Sequence, residues 1–114
     1  MRALIDTCIV IDALQNREGF SADAQRIFLG VANKWFVGFL SAKSVTDIYY
    51  LTHRYTHNDT DTCKILNTLF QLFEIMDTTG MDCIVTRNLK DYNKVPIPVY
   101  APADFLKMVE PQEE

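Results

Sequence analysis

A short apolar run that ends abruptly in an acid constrains this chain more than any other stretch. Ala3-Leu4-Ile5 is followed at once by Asp6, and a second apolar run, Ile9-Val10-Ile11, begins two residues later. Three apolar residues with no turn signal are too few for a helix and read as a buried strand. The run beyond Thr7 reads as a helix. A strand whose last residue hands over to a carboxylate and then to a helix is the unit of an open α/β sheet. Such sheets place their ligands at the carboxyl ends of the strands.

The same alternation continues along the chain. Residues 22–33 carry Ala24, Ile27, Phe28, Val31 and Ala32 at helical spacing, with Ser21 as the expected N-cap. Residues 35–40 (W-F-V-G-F-L) read as a second buried strand, with Gly38 admitting a close neighbour. A helix is expected over 42–55, with Asp47 on the turn facing the strand ends. A stronger one is expected over 61–73, with Ile65, Leu66, Leu69, Phe70 and Phe73 on its apolar stripe. Residues 74–77 read as a third strand and 83–86 as a fourth. Pro96 and Pro98 restrict the next extended segment, 97–99, to a sheet edge or a strand end. Pro102 opens the last helix, with Asp104 in its first turn. Strands alternating with helices predict a mainly parallel sheet in a three-layer α/β/α arrangement. One domain is expected over 1–109, with a short tail at 110–114.

Between the third and fourth strands stand only Thr78-Thr79-Gly80-Met81-Asp82. Parallel neighbours need a crossover of a dozen or more residues. The two strands therefore form an antiparallel hairpin, or a crossover segment is absent between 79 and 81.

Composition narrows the function. A net charge of −4 at pH 7, with pI near 5.1, argues against gripping nucleic acid through bulk positive charge. It leaves room for a site built from carboxylates, whose field a bound cation inverts. The three cysteines, Cys8, Cys63 and Cys83, are odd in number and lack C-x-x-C spacing. They point to a reducing, cytoplasmic setting. The first residues do not read as a signal peptide, and no apolar run is long enough for a membrane span.

Three acids fall at equivalent places after strands: Asp6, Asp47 and Asp91. Carboxylates gathered at one sheet edge repel one another and are costly without a cation. Mg²⁺ or Mn²⁺ takes such oxygen ligands and can activate water for attack on a phosphodiester. The duller alternatives are a turn or cap for Asp6, a solvated helix acid for Asp47 and a loop acid for Asp91; Asp12, Asp77 and Asp82 are expected to be capping or turn residues. His53 and His57 are spaced i, i+4, but they close a helix and read as favourable charge at its C-terminus. Arg54, Arg87, Lys90 and Lys94 are candidate phosphate contacts.

Three blocks, L-I-D-T-C-I-V-I-D-A-L, L-S-A-K-S-V-T-D-I-Y-Y-L and D-C-I-V-T-R-N-L-K-D-Y, with the ending P-I-P-V-Y-A-P-A-D-F-L, resemble the PIN domain family. That family includes small metal-dependent ribonucleases, among them toxins of VapBC-type toxin–antitoxin pairs. The resemblance implies metal ligation by Asp6, Asp47, Asn88 and Asp91, with Asp6, Asp47 and Asp91 as the catalytic acids. Thr7 and Thr86 would orient them. It further implies an RNA substrate, an antitoxin partner and homodimers. Cys8 stands where the family has Asn, and Asp47 where many members have Glu. The family also carries a segment of roughly thirty residues with a further acid where this chain has only 78–82. That departure makes a catalytically impaired domain that binds RNA or protein the alternative. The intact flanking blocks favour residues missing from the sequence over a true deletion. Intact-protein mass spectrometry decides this: a mass of 13.1 kDa excludes missing residues, and a heavier protein establishes them.

Overall fold

The computed structural model of the chain describes residues 1–75 and 80–111. Its five strands are β1 (Arg2–Ile5), β2 (Val37–Leu40), β3 (Glu74–Ile75), β4 (Cys83–Val85) and β5 (Val99–Tyr100). They form one sheet in the order β3-β2-β1-β4-β5, and every pairing is parallel. β1 is central, with Leu4 level with Phe39 on one side and with Ile84 on the other. It is buried on both faces at Ala3, Leu4 and Ile5, as a strand inside a covered parallel sheet should be. The sheet grows from β1 in one direction through β2 and β3, and in the other through β4 and β5. The carboxyl ends of β1 and β4 therefore flank the point where strand order reverses.

The helices are α1 (Thr7–Leu14), α2 (Ser21–Ala32), α3 (Ala42–Thr56), α4 (Asp59–Leu72) and α5 (Pro102–Val109). Ile9 and Ile11 of α1, Ile27 of α2, Ile48 of α3, Leu69 of α4 and Phe105 of α5 join one core with Ala3, Ile5, Leu40 and Val85. On the opposite face Leu4, Phe39, Ile84 and Met81 form a second core. Tyr92, Val95, Ile97 and Val99 pack against it, and the Arg2 guanidinium lies 4.8 Å from the centre of the Phe39 ring. Among the described residues, the cover on this face comes from a 3₁₀ turn, Leu89–Tyr92, and from extended chain.

Of the two arrangements left open for the third and fourth strands, the antiparallel hairpin does not form. β3 lies at one edge against β2, while β4 pairs with β1 on the far side. Three strand spacings separate them, about 14 Å. Positions 76–82 can span about 25 Å when extended. A dozen residues are what a helix-bearing crossover needs, not what the distance demands. Part of the short connection, 78–79, and the expected end of the third strand, Met76 and Asp77, lie outside the described residues. On its described side Gly80 has φ +80°, Met81 is buried, and Asp82 exchanges hydrogen bonds with Arg2.

Three smaller expectations also change. Ser21 is the first residue of α2, and the cap position falls on Phe20 without a side-chain bond. The Ser21 and Phe20 N–H groups donate instead to Arg17 O, so the turn before the helix supplies its first acceptors. The second strand begins at Val37 because the chain turns at Lys34, whose φ is +62°. On α4, Phe70 is 45% exposed and Thr62 is buried in its stead. Thr62 is satisfied by bonds to Asn58 O and Thr56 Oγ1, both 2.8 Å.

Gly38 answers to a specific constraint. A Cβ there would stand 2.8 Å from both Phe73 Cδ1 and Val31 Cγ2, and both of those residues belong to the main core. Phe73 can press onto β2 only because the strand is bare at this point. Gly38→Ala is expected to destabilise the fold by about 1–3 kcal/mol, read as a lower urea midpoint with an unchanged m-value.

Candidate active-site cleft

Asp6 ends β1 and caps α1. Its backbone N–H donates to Val85 O at 3.0 Å, tying the end of β1 to the end of β4. Its Oδ1 accepts the Thr7 N–H at 2.8 Å, the role of an N-cap. Its Oδ2 accepts the Thr86 hydroxyl at 2.7 Å, with the Cys8 thiol 3.6 Å away. Thr86 is completely buried, and its hydroxyl oxygen also accepts the Asn88 N–H at 2.9 Å. One hydroxyl thus fixes the rotamer of Asp6 and the course of the chain after β4. Burial holds the Cys8 thiol above its ordinary range, and the nearby Asp6 charge adds to that effect. The side chain therefore stays a protonated donor toward the carboxylate. The Tyr92 phenol is pushed well above its usual range, first by burial and then by the charge and hydrogen bond of Asp6.

A cleft of about 570 Å³ opens above these residues. Asp6 and Thr7 line it from the switch point, Asp47 from α3, and Asn88, Asp91 and Tyr92 from the turn after β4. The four side chains expected to act together, Asp6, Asp47, Asn88 and Asp91, share this one cleft. Ser41 caps α3 by accepting the Ser44 N–H at 3.1 Å, which sets the helix entry and hence the place of Asp47 less than two turns along.

The donor set is all oxygen, which suits a hard divalent cation. Among the described residues, no three His, Cys, Asp or Glu side chains stand close enough to hold one ion together. Mg²⁺ usually keeps several waters and takes only one or two protein carboxylates. Asp6 together with Asp47, part-buried like it, or with the exposed Asp91 supplies that number of carboxylates within the one cleft. In chemical type the residues fit the cation; they do not form a closed cage.

The expected phosphate contacts separate. Arg87 is committed elsewhere: it donates to both oxygens of Asp12, at 2.5 and 3.1 Å, and its guanidinium lies 4.1 Å from the Phe20 ring centre. Arg54 lines a smaller cavity beside the cleft. Lys90 sits on the exposed turn after β4 and is not among the residues lining the cleft. Two cations not expected from the sequence do line it, Arg17 and Lys43. Lys43 was signalled by its i, i+4 relation to Asp47. Arg17 comes from the loop after α1, where no periodicity operates.

Asp12 is the other surprise. Expected as a cap or turn residue, it lies inside α1 with no exposed surface. Besides Arg87 it faces Arg17 Nη1 at 3.8 Å. A carboxylate directly after the run Ile9-Val10-Ile11 and before Ala13-Leu14 announces a buried charge that needs a partner, but the partner is 75 residues away. The pair binds α1 to the loop that carries Asn88 and Asp91. The histidines behave as expected of a helix end: His53 lies in the last turn of α3, paired with Asp59 at 2.8 Å, and His57 is the C-cap.

Residues 2–82 match a family model described as PIN domain. The matched stretch includes Asp6 and Asp47 and stops before Asn88 and Asp91. Among solved structures, a chain in the crystal structure of VapBC2 from Rickettsia felis bound to a promoter DNA fragment superposes with a TM-score of 0.61. The match covers 89% of this chain and 98% of that chain at 12% identity, a likeness of fold. No curated protein matches the chain.

Removing Arg87 leaves the fully buried Asp12 with only the Arg17 guanidinium, 3.8 Å away. Arg87→Ala is expected to cost about 3–5 kcal/mol of stability, measured by urea unfolding, whereas Asp82→Ala at the exposed rim should cost well under that.

Proposed function

Because the chain belongs to the PIN domain family, we propose that it is a divalent-metal-dependent endoribonuclease acting at the cleft around Asp6. The observation that carries the proposal is the sharing of one cleft by Asp6, Asp47, Asn88 and Asp91 at the switch point of the sheet. Mg²⁺ or Mn²⁺ bound there would polarise a phosphoryl oxygen and supply an activated water. The chain's own contribution is positioning. Thr86 and the Thr7 N–H hold Asp6 in one orientation. Asp47 and Asp91 offer the further carboxylate, and Asn88 a neutral oxygen. Lys43 and Arg17 supply positive charge at the same cleft for the scissile phosphate. Water is the nucleophile, so no Ser or His nucleophile is required.

We assign the protein to the toxin side of a toxin–antitoxin pair, with a small antitoxin as partner and a homodimer as its assembly. The fold similarity to a chain of the VapBC2 assembly supports this. Three free cysteines, Cys8, Cys63 and Cys83, accord with a reducing cytoplasm. Among the described residues, no helix is long and apolar enough to cross a membrane. The second reading, a domain that binds RNA or a protein without cleaving, draws on the lack, among the described residues, of three converging acids and on the short connection after β3.

Incubation with single-stranded RNA separates the two. Cleavage with Mg²⁺ or Mn²⁺ that is abolished by chelation and lost in Asp6→Asn supports the nuclease. Cleavage persisting in Asp6→Asn sinks the assignment of the site. Metal at about 100 times its dissociation constant should also stabilise the wild-type fold by about 2.7 kcal/mol, and much less so in Asp6→Asn.

A further inference from the structure

The acid cleft adjoins a second cavity. The cleft of about 570 Å³ and a neighbouring one of about 350 Å³ share two lining residues, Arg17 and Leu51. The second is completed by Gln15, Arg54 and Tyr55. Gln15 Nε2 donates to Leu51 O at 3.5 Å, joining the end of α1 to α3 along the boundary. On α3, Lys43, Asp47, Leu51 and Arg54 follow at helical spacing and so share one side of the helix. Lys43 to Arg54 spans about 16 Å. We propose that this side of α3 is a track for single-stranded RNA, running from the carboxylates to Arg54 and Tyr55.

Charge and shape agree on the occupant. Lys43, Arg17 and Arg54 place three cations along the two cavities of a chain whose net charge is −4. Arg17 also touches Asp12 and Gln15, yet its side chain keeps 44% of its surface. Tyr55 is 65% exposed at the far end and offers an open ring there. Cations leading to an exposed aromatic suit a phosphate backbone with a base splayed at its end. Duplex geometry does not present bases to such a ring. The proposal rests on the ribonuclease reading for the identity of its ligand, but it names different residues and makes a separate prediction.

Fluorescence anisotropy tests it with a labelled single-stranded RNA of about 12 nucleotides, using the Asp6→Asn protein so that substrate survives. Removal of Arg54 (Arg54→Ala) should lower the slope of log affinity against log salt by about 0.7, and Arg54→Lys should restore it. Tyr55→Ala should weaken binding about 5- to 150-fold with no change in slope. Unaltered affinity and slope in all three variants overturn the track. So does displacement of the RNA by an acidic peptide with Tyr55→Ala having no effect, which would identify the surface as a protein-binding one. A wild-type protein that cleaves RNA while these variants bind normally defeats the track alone. A protein that never cleaves, yet binds through Arg54 and Tyr55, defeats the nuclease reading alone.

Discussion

The hydrogen bond from Thr86 to Asp6 is the contact on which the site depends. It joins the carboxyl ends of β1 and β4, the two strands on either side of the switch point. Because Thr86 is completely buried, its hydroxyl has no water to turn to. It is held between the carboxylate it donates to and the Asn88 N–H it accepts. The low local dielectric strengthens both bonds. The backbone bond from Asp6 N–H to Val85 O fixes the same junction from below. Asp6 is consequently both a helix cap and the rigidly held carboxylate of the cleft that it shares with Asp47 and Asp91.

Two supports lie behind that junction. The fully buried Asp12 and the part-exposed Arg87 form an ion pair that links α1 to the segment leaving β4. Such a pair adds little net stability beside a well-packed apolar alternative, but breaking it is costly. Its value here is geometric, since Arg87 lies between Thr86 and Asn88 in sequence. The second support is packing. Gly38 lets Phe73 reach the sheet, and the helices are assembled on the Ala3 and Ile5 face. The opposite face is covered by Tyr92, Val95 and Ile97. Tyr92 also lines the cleft, so the thinner cover and the site share a wall.

Much of the architecture was legible because it follows from local patterns. Apolar runs of three to six residues separated by amphipathic stretches specify strands and helices, and their alternation specifies a parallel sheet. The less legible parts have physical reasons. Short connections are constrained by reach more weakly than by the habit of carrying a helix, so five residues after the third strand left open a hairpin, which does not form, or an absent crossover segment. Ser21 has the chemistry of a cap, but the tight turn around Arg17 already supplies backbone acceptors. Phe70 fits the helical period, yet α4 turns a different arc, containing Thr62, toward its neighbours.

By itself the sequence determined the strand–acid–helix unit at Asp6, the alternation that makes the sheet parallel, and the candidate acids Asp6, Asp47 and Asp91. All of these are set by side-chain type and short-range spacing. Only the tertiary structure decided which of those groups share a cleft, that Arg87 belongs to Asp12, and that Arg17 and Lys43 stand beside the acids. Those are contacts between residues brought together by strand order, and strand order is fixed by packing over distances that no local periodicity records. Asp6 shows the division: its chemistry was written in the first strand, but its partner Thr86 came from a strand 80 residues on.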